Sequence, residues 1–363
     1  MFLALRDIRF AKGRFALMGG VVALITLLLV MLSGLTAGLG NQSTSAIAAL
    51  PADHIVFGAP AGTTPTASYT ESSVTAVQLA RWKNHDGVTS AEPLGISQTR
   101  LQAVAPGGEP AGSANVAVFG VTGDGALAPA QVAEGTVVIG AGLAKDLDLA
   151  PGRRVSVGGS SLAVVAVVPD QWYSHTAVVW TSLADWRTLS HLTDPAAVAT
   201  VLAVGTSAGT DLGAADAAAG TVSATRSGSF QALGSYRSEN GSLLLMQSFL
   251  YGISALVVAA FLTVWTVQRT RDIAVLKALG GSTRYILRDA MVQAAAVLAA
   301  GALAGGAAGA FGGLLAGKAA PFLTGPATTL LPVAGVVLLG LAASVLAVRG
   351  VTRVDPLLAL GGN

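Results

Sequence analysis

The sequence predicts a membrane protein with four transmembrane α-helices and a large mixed α+β extracytoplasmic domain between helices 1 and 2. Three features predict this fold class: four long uncharged stretches, one long segment of ordinary polarity, and a one-sided distribution of basic residues. Of the 363 residues, 52% are hydrophobic and only 11% are charged. Ordinary globular domains carry about 25% charged residues, so the composition favours a membrane protein.

The four uncharged stretches contain no Asp, Glu, Lys or Arg and cover residues 15–52, 240–268, 290–317 and 319–348. Each is longer than the roughly 20 residues that cross a bilayer core as a helix. The apolar part of the first stretch also exceeds the hydrophobic region of a signal peptide, which is about 7–15 residues long. We therefore expect it to be retained as the first span.

The segment between the first two spans is polar enough, and long enough, to fold around its own core. Residues 116–121 and 136–140 are typical of strands, and 71–83 has the apolar spacing of a helix. Residues 206–225, rich in Ala, Gly and Asp, indicate a loose helix or a linker. The chain has no cysteine, so packing and not disulfides must hold this domain.

The basic residues cluster beside the spans on one predicted side of the membrane. The N-terminal flank, the segment 269–289 and the C-terminal end from Arg349 onward carry eleven basic and four acidic residues. The positive-inside rule places these regions in the cytoplasm and the α+β domain outside. The chain is thus predicted to be a multi-pass protein of the bacterial cytoplasmic membrane, with both termini in the cytoplasm.

These observations predict eight segments along the chain. They are a cytoplasmic amphipathic helix (1–14), transmembrane helix 1 (15–40), the extracytoplasmic α+β domain (41–239), transmembrane helix 2 (240–268), a cytoplasmic coupling loop (269–289), transmembrane helix 3 (290–317), transmembrane helix 4 (326–349) and a cytoplasmic tail (350–363).

The third span carries glycine at every fourth position, at Gly301, Gly305, Gly309, Gly313 and Gly317. A stripe of glycines lets a second helix backbone approach closely. We expect the partner helix to belong to the same subunit.

Catalytic motifs are missing from the sequence. The glycines and lysine at 312–318 nearly match a phosphate-binding loop, but the Ser or Thr that binds Mg²⁺ is replaced by Ala319. The four histidines form no metal-ligand spacing, and neither a nucleophile elbow nor a zinc-protease helix is found. The chain is predicted to be a non-catalytic subunit without an intrinsic cofactor or a nucleic-acid partner.

The loop between spans 2 and 3 has the pattern of a short amphipathic helix. Ile273, Leu276 and Leu279 form an apolar ridge, Gly280 ends the helix, and Ser282 can cap the next one. A soluble ATPase could bind such a ridge, although an interfacial helix without a partner has the same pattern.

Four segments carry a resemblance to a known family. Residues 271–282 read Arg-Asp-Ile-Ala-Val-Leu-Lys-Ala-Leu-Gly-Gly-Ser, and residues 352–360 read Thr-Arg-Val-Asp-Pro-Leu-Leu-Ala-Leu. Both resemble signatures of FtsX/MacB-type ABC transporter permeases, and residues 3–9 are similar to the opening of that family. Residues 138–168 resemble part of its membrane-distal domain.

This resemblance implies a permease homodimer in the lipid bilayer that works with two copies of a cytoplasmic ABC ATPase. ATP would bind to the ATPase and not to this chain. The residues of the coupling loop that would contact the ATPase are Ile273, Leu276, Lys277, Leu279 and Gly280.

A narrower resemblance concerns the start of the second span. Tyr236, Glu239, Leu243 and Met246 follow a pattern similar to that of haem-exporting (Hrt-type) permeases. On a helix these residues and Leu250 share one face. The resemblance implies haem as the substrate, with its iron held through Glu239, Tyr236 and Met246; no other metal is expected.

Two other interpretations of this region stay open. Tyr236 could belong to an interfacial aromatic belt, with Glu239 a solvated charge and Met246 a space-filling residue. The function is therefore predicted as ATP-driven efflux of an amphiphile, with haem preferred over another lipid-like molecule or a peptide toxin. The alternative is an FtsX-like mechanotransmission protein that regulates an extracytoplasmic partner without transport.

Overall fold

The computed structural model describes residues 12–59, 62–105, 107, 109–190, 195–268 and 282–351. The chain divides into two compact units, a membrane unit (1–39 and 241–363) and an α/β unit (40–240). Residues 1–11 of the predicted amphipathic helix, residues 269–281 of the coupling loop and residues 352–363 of the tail lie outside the described residues.

The described helices are, in chain order, α1 (Lys12–Ala48), α2 (Ala76–Lys83), α3 (Ala141–Asp146), α4 (Leu183–Ser190), α5 (Leu212–Ala219), α6 (Gly234–Gln268), α7 (Thr283–Ala316) and α8 (Pro326–Val351), with a 3₁₀ helix at Gly228–Ala232. The described strands are β1 (His54–Phe57), β2 (Val74–Thr75), β3 (Val88–Val104), β4 (Pro110–Val121), β5 (Thr136–Gly140), β6 (Arg154–Val157), β7 (Ser160–Val168), β8 (Trp172–Tyr173), β9 (Thr176–Ser182), β10 (Ala197–Ala199), β11 (Val201–Thr206) and β12 (Val222–Thr225).

Four helices of the described chain are long and apolar enough to cross a membrane. They cover Phe15–Ala48, Gly234–Gln268, Arg288–Ala316 and Pro326–Ala347. The prediction of four spans with a mixed α/β domain after the first is confirmed. The first two helices extend beyond the predicted spans, to residue 48 and from residue 234, because polar residues at these ends continue the helices into the α/β unit.

The glycine stripe of α7 packs against α1 within the membrane unit. A β-carbon added at Gly301 would lie 2.7 Å from the carbonyl oxygen of Gly19, and one at Gly305 would overlap the backbone of Ala23. A β-carbon at Gly309 would lie 2.9 Å from Val30 Cβ. The expectation that the partner helix lies in the same subunit is confirmed.

Several hydroxyl groups inside the membrane unit bond to their own helices. The side chains of Thr26, Thr266 and Ser344 each donate to the carbonyl oxygen four residues earlier, at 2.8, 2.6 and 2.6 Å. Because no water reaches the hydrocarbon layer, such a bond satisfies a donor that would otherwise cost several kcal/mol.

The α/β unit is built on a ten-stranded sheet in the order β12-β1-β11-β3-β4-β9-β5-β7-β6, with β8 paired to β9. Strand β6 pairs with both β7 and β3. Part of the sheet therefore closes into a ring of six strands, in the order β3, β4, β9, β5, β7 and β6. The 17-residue strand β3 pairs with β11 through its first half and with β4 through its second. The unit therefore has two parts that share β3, in agreement with the mixed α+β prediction.

Two local predictions for this unit were wrong in detail. Within 71–83 only Ala76–Lys83 is helical, since Val74–Thr75 pairs with β10 and Thr75 forms a capping box with Gln78. For residues 206–225 the helix alternative is confirmed over α5, whereas the linker alternative is wrong because the segment ends in β12. The carboxylate of Asp211 caps α5, and Gly220 ends it in the left-handed conformation with a φ of 65°.

A tryptophan packs against two glycines in the ring-closed part of the sheet. Gly95 of β3 and Gly120 of β4 are register partners, and Trp186 of α4 lies against both. A β-carbon at either glycine would overlap the Trp186 side chain, so the two glycines leave the space that the indole ring occupies.

Candidate functional site

A junction in the α/β unit joins the C-terminal end of α1, a hairpin turn and the start of α6. The turn is Ser174–His175, between β8 and β9. The backbone N–H of Ser174 donates to the carbonyl oxygen of Ser43, and that of His175 to the carbonyl oxygen of Gln42, both at 3.0 Å. Ser174 Oγ lies 3.1 Å from Ser235 Oγ on α6. The hairpin tip is thus fixed to both helices.

The turn has an unfavourable backbone for its residue types. Ser174 and His175 have φ values of 47° and 63°, in the left-handed region that two-residue hairpin turns need and that Gly or Asn usually occupies. Such a conformation costs of order 1–3 kcal/mol for each non-glycine residue. The hydrogen bonds to α1 offset part of this cost and keep the His175 side chain in one place.

His175 contacts a carboxylate from α6. Its Nε2 lies 2.9 Å from Glu239 Oε2 and 3.1 Å from Ser43 Oγ. The contact with Glu239 is a salt bridge when the imidazole is protonated and a hydrogen bond when it is neutral. The side chains of His175 and Glu239 keep 31% and 39% of their surfaces exposed, so a ligand can reach the pair.

Comparison with known families identifies the chain from both of its units. Residues 15–222 match the MacB-like periplasmic core domain, and residues 246–356 match the FtsX-like permease C-terminal family. The chain belongs to the MacB/FtsX family of ABC transporter permeases.

Other permeases resemble this one at low identity. An uncharacterized ABC transporter permease of Mycobacterium bovis is 25% identical over 100% of this chain and 99% of its own length. A Staphylococcus epidermidis protein named as a hemin transport system permease, HrtB, is 24% identical over 58% of this chain and 59% of its own. The crystal structure of the periplasmic region of MacB from Actinobacillus actinomycetemcomitans covers 49% of this chain and 90% of its own, with 12% identity and a TM-score of 0.34.

All five residues predicted for the substrate site of this permease lie on α6. Tyr236 is half-buried, and its ring packs edge-on against Phe230 with 6.0 Å between centroids. Leu243 is half-buried, and Met246 is 54% exposed. Leu250 packs on the apolar core of the membrane unit. Protein atoms therefore cover much of Tyr236, whereas Glu239 and Met246 are accessible.

His175 is the residue that sequence reasoning missed in the permease. It stands 64 positions from Glu239, and the patterns of the sequence present it as one of four scattered histidines. A Ser-His pair between two short apolar segments is only a weak indication of a tight turn: His is enriched in the left-handed region relative to most residues, but Gly and Asn are the usual turn residues.

The predicted ATPase-contacting residues of the permease, Ile273, Leu276, Lys277, Leu279 and Gly280, lie outside the described residues. At the far end of the loop, the Ser282 side chain accepts a hydrogen bond from the N–H of Tyr285 at 3.2 Å and caps α7.

Proposed function

We propose that this permease exports an amphiphile, with haem as the preferred candidate, and that a separate ATPase subunit hydrolyses the ATP. The observation that carries the proposal is the Glu239 carboxylate, which is accessible on α6 and bound to His175. Haem partitions into membranes, so a permease can collect it from the bilayer beside this helix.

Glu239 has the chemistry that a ferric iron requires. A carboxylate is an oxygen ligand and its negative charge balances the positive iron, while Tyr and Met are known haem ligands. Tyr236 and Met246 stand three residues before and seven after Glu239 on the same helix. The apolar porphyrin would cover Leu243 and Leu250. To bind iron, Glu239 would exchange its contact with His175 for the metal.

The relative named as a hemin permease supports this substrate, since the similarity covers more than half of each chain. In the proposal two copies of the permease form the exporter together with two copies of the ATPase. The cytoplasm holds both termini and the coupling loop, as the distribution of basic residues indicates.

Replacing Glu239 tests the substrate. We expect Glu239→Ala to weaken haem binding to the purified permease by about tenfold or more, because the iron loses a charged ligand. Haem-stimulated ATPase activity and resistance to toxic haem should fall with it. The measurement is a haem titration followed in the Soret band.

The matched control is Glu134→Ala, which removes an exposed carboxylate elsewhere in the α/β unit. Since Glu239→Ala also deprives His175 of its partner, thermal unfolding of both variants must accompany the titration. Unchanged haem affinity in a folded Glu239→Ala variant would exclude this carboxylate as an iron ligand.

The orientation is tested with single cysteines, for which the cysteine-free chain gives no background. Ala208 and Tyr285 are exposed positions on opposite predicted sides of the membrane. An impermeant maleimide should label Ala208→Cys in intact cells and label Tyr285→Cys only after lysis. The opposite labelling pattern would reverse the proposed orientation.

The junction also favours the alternative of mechanotransmission without transport. Backbone bonds hold the hairpin to α1, and the His175–Glu239 contact holds it to α6. These contacts can transmit a movement of α1 or α6 to the hairpin and, through β8 and β9, to the sheet. In that case the wild-type permease would show neither haem binding nor haem-stimulated ATP hydrolysis, while ATP would change the reactivity of labels on the α/β unit. Export of another lipid-like molecule or of a peptide toxin would instead show stimulation by that substrate.

A further inference from the structure

A cleft lies beside the junction, within the α/β unit. Its volume is about 700 Å³, within the size range of small-molecule sites. Its lining is rich in hydroxyl and amide groups; the described residues that line it include Ser68, Thr70, Gln98, Tyr173, Ser174 and Arg237. Ser174 and Ser235, whose hydroxyl oxygens lie 3.1 Å apart, both line the cleft, and Ser174 is the turn neighbour of His175.

The charge of this cleft favours an anion. Arg237 is exposed and is the one charged residue among the described residues of the lining. Gly234 and Ser235 also line it, at the N-terminus of the 35-residue helix α6. The first N–H groups of a helix have no partner along the helix and carry a partial positive charge, which attracts negative groups.

A tyrosine whose hydroxyl has no partner among the described residues points independently to a ligand. Tyr173 is only 5% exposed and lines the cleft, yet its hydroxyl has no hydrogen-bond partner in the described part of the chain. Neighbouring Tyr69 donates to Ser229 Oγ at 2.9 Å and is satisfied. Burial raises the pKa of Tyr173, as does the nearby Tyr69, so its phenol stays neutral and remains a donor at physiological pH. The ring is buried, but the hydroxyl oxygen itself keeps contact with the cleft and is free to donate to an acceptor on a ligand there.

We propose that this cleft binds the free carboxylate of the exported amphiphile through Arg237, the Tyr173 hydroxyl and the N-terminus of α6. The inference rests on the proposed export of an amphiphile but not on iron ligation by Glu239. Because the Ser174–His175 turn borders both places, an amphiphile at Glu239 could extend its carboxylate into the cleft. A porphyrin with propionate side chains has this form.

The test uses the full permease in phosphatidylcholine nanodiscs and protoporphyrin IX, a tetrapyrrole with carboxylates and no iron, followed by its fluorescence. The dimethyl ester of the same porphyrin removes the anionic groups and keeps the ring. We expect the diacid to bind above the level of empty nanodiscs and the ester to bind about tenfold more weakly, because the ester cannot accept the charge-assisted hydrogen bonds that a carboxylate accepts.

Two substitutions locate the site. Arg237→Ala should weaken binding of the diacid about tenfold and leave the ester unchanged. Tyr173→Phe should act in the same direction, with its ring packing against Phe119 and Tyr69 preserved. Arg100→Ala, an exposed arginine of the same unit outside the cleft, is the matched control and should have no effect.

Equal affinity for diacid and ester, no binding above empty nanodiscs, or wild-type affinity in both Arg237→Ala and Tyr173→Phe would each overturn the proposal. So would competition by phosphatidylglycerol in the nanodiscs, which would identify a lipid headgroup as the occupant. The probe has no iron, so its binding does not depend on iron ligation by Glu239. Failure of the haem titration with Glu239→Ala would therefore not decide the result of this experiment. The carboxylate site would then belong to an exporter of a different amphiphile.

Discussion

Replacing Gly305 by alanine is expected to lower the thermal stability of the purified permease by several degrees. The added methyl group would overlap the backbone of Ala23, which cannot rotate away as a flexible side chain could. Helices α1 and α7 would have to separate, at a cost of about 1–3 kcal/mol typical of overpacking. Alanine also favours the helix by about 1 kcal/mol over glycine, so the loss is net only because the backbone contact is so close.

Gly312→Ala is the matched control on the same helix. Its β-carbon would lie 3.4 Å from Met31 Sδ, an ordinary contact with an adaptable side chain, so this variant should be neutral or slightly more stable. Both are measured as the detergent-solubilised fraction that stays monodisperse after heating. Equal stability of the two variants would mean that the two helices are not in close backbone contact.

A negative charge at Leu276 is expected to detach the ATPase from the permease. Leu276 is the middle residue of the apolar ridge predicted from the sequence, between Ile273 and Leu279. An unpaired charge buried at such a small interface costs several kcal/mol, which is enough to abolish a modest affinity. Leu276→Asp should therefore fail to co-purify with the ATPase while the permease itself remains in the membrane.

The control for this experiment is Ala278→Asp, which would place the same charge on the opposite side of the helix that the sequence predicts there. Its ATPase should co-purify as in the wild type. Recovery of normal amounts of ATPase with Leu276→Asp would show that the ridge does not form the interface.

The spans were predictable because their signal is local: a run without charges is either long enough to cross a membrane or not. Their outer ends were less so. Helix α1 continues through Ser43 and Ser45 until Ala48, since Ile47 is fully buried in the core of the α/β unit and the chain must stay helical to place it there. Strand β3 was missed because its polar and apolar residues follow the needs of two different neighbouring strands.

The candidate site also has one part that was predictable from the sequence and one part that was not. Glu239 and Tyr236 are proposed from a resemblance to Hrt-type permeases, and the sequence directly displays the spacing that puts them on one helix face. His175 and the cleft with Tyr173 depend on a hairpin whose position is set by pairing between distant strands. Long-range strand pairing is what local patterns predict least well, because each strand's partner is chosen by the whole sheet.

The position of β1 has a consequence for how the protein is made. Both neighbours of this strand, β11 and β12, come from the far end of the α/β unit, with His54 opposite Val204 on one side and Thr225 on the other. During synthesis, β1 leaves the first span with no strand to pair with until the last part of the domain has followed. Such long-range pairing folds slowly and leaves an apolar edge open to aggregation. Biogenesis of this permease should therefore depend on chaperones that shield the segment around Ile55–Phe57 until the last part of the α/β unit has been synthesised.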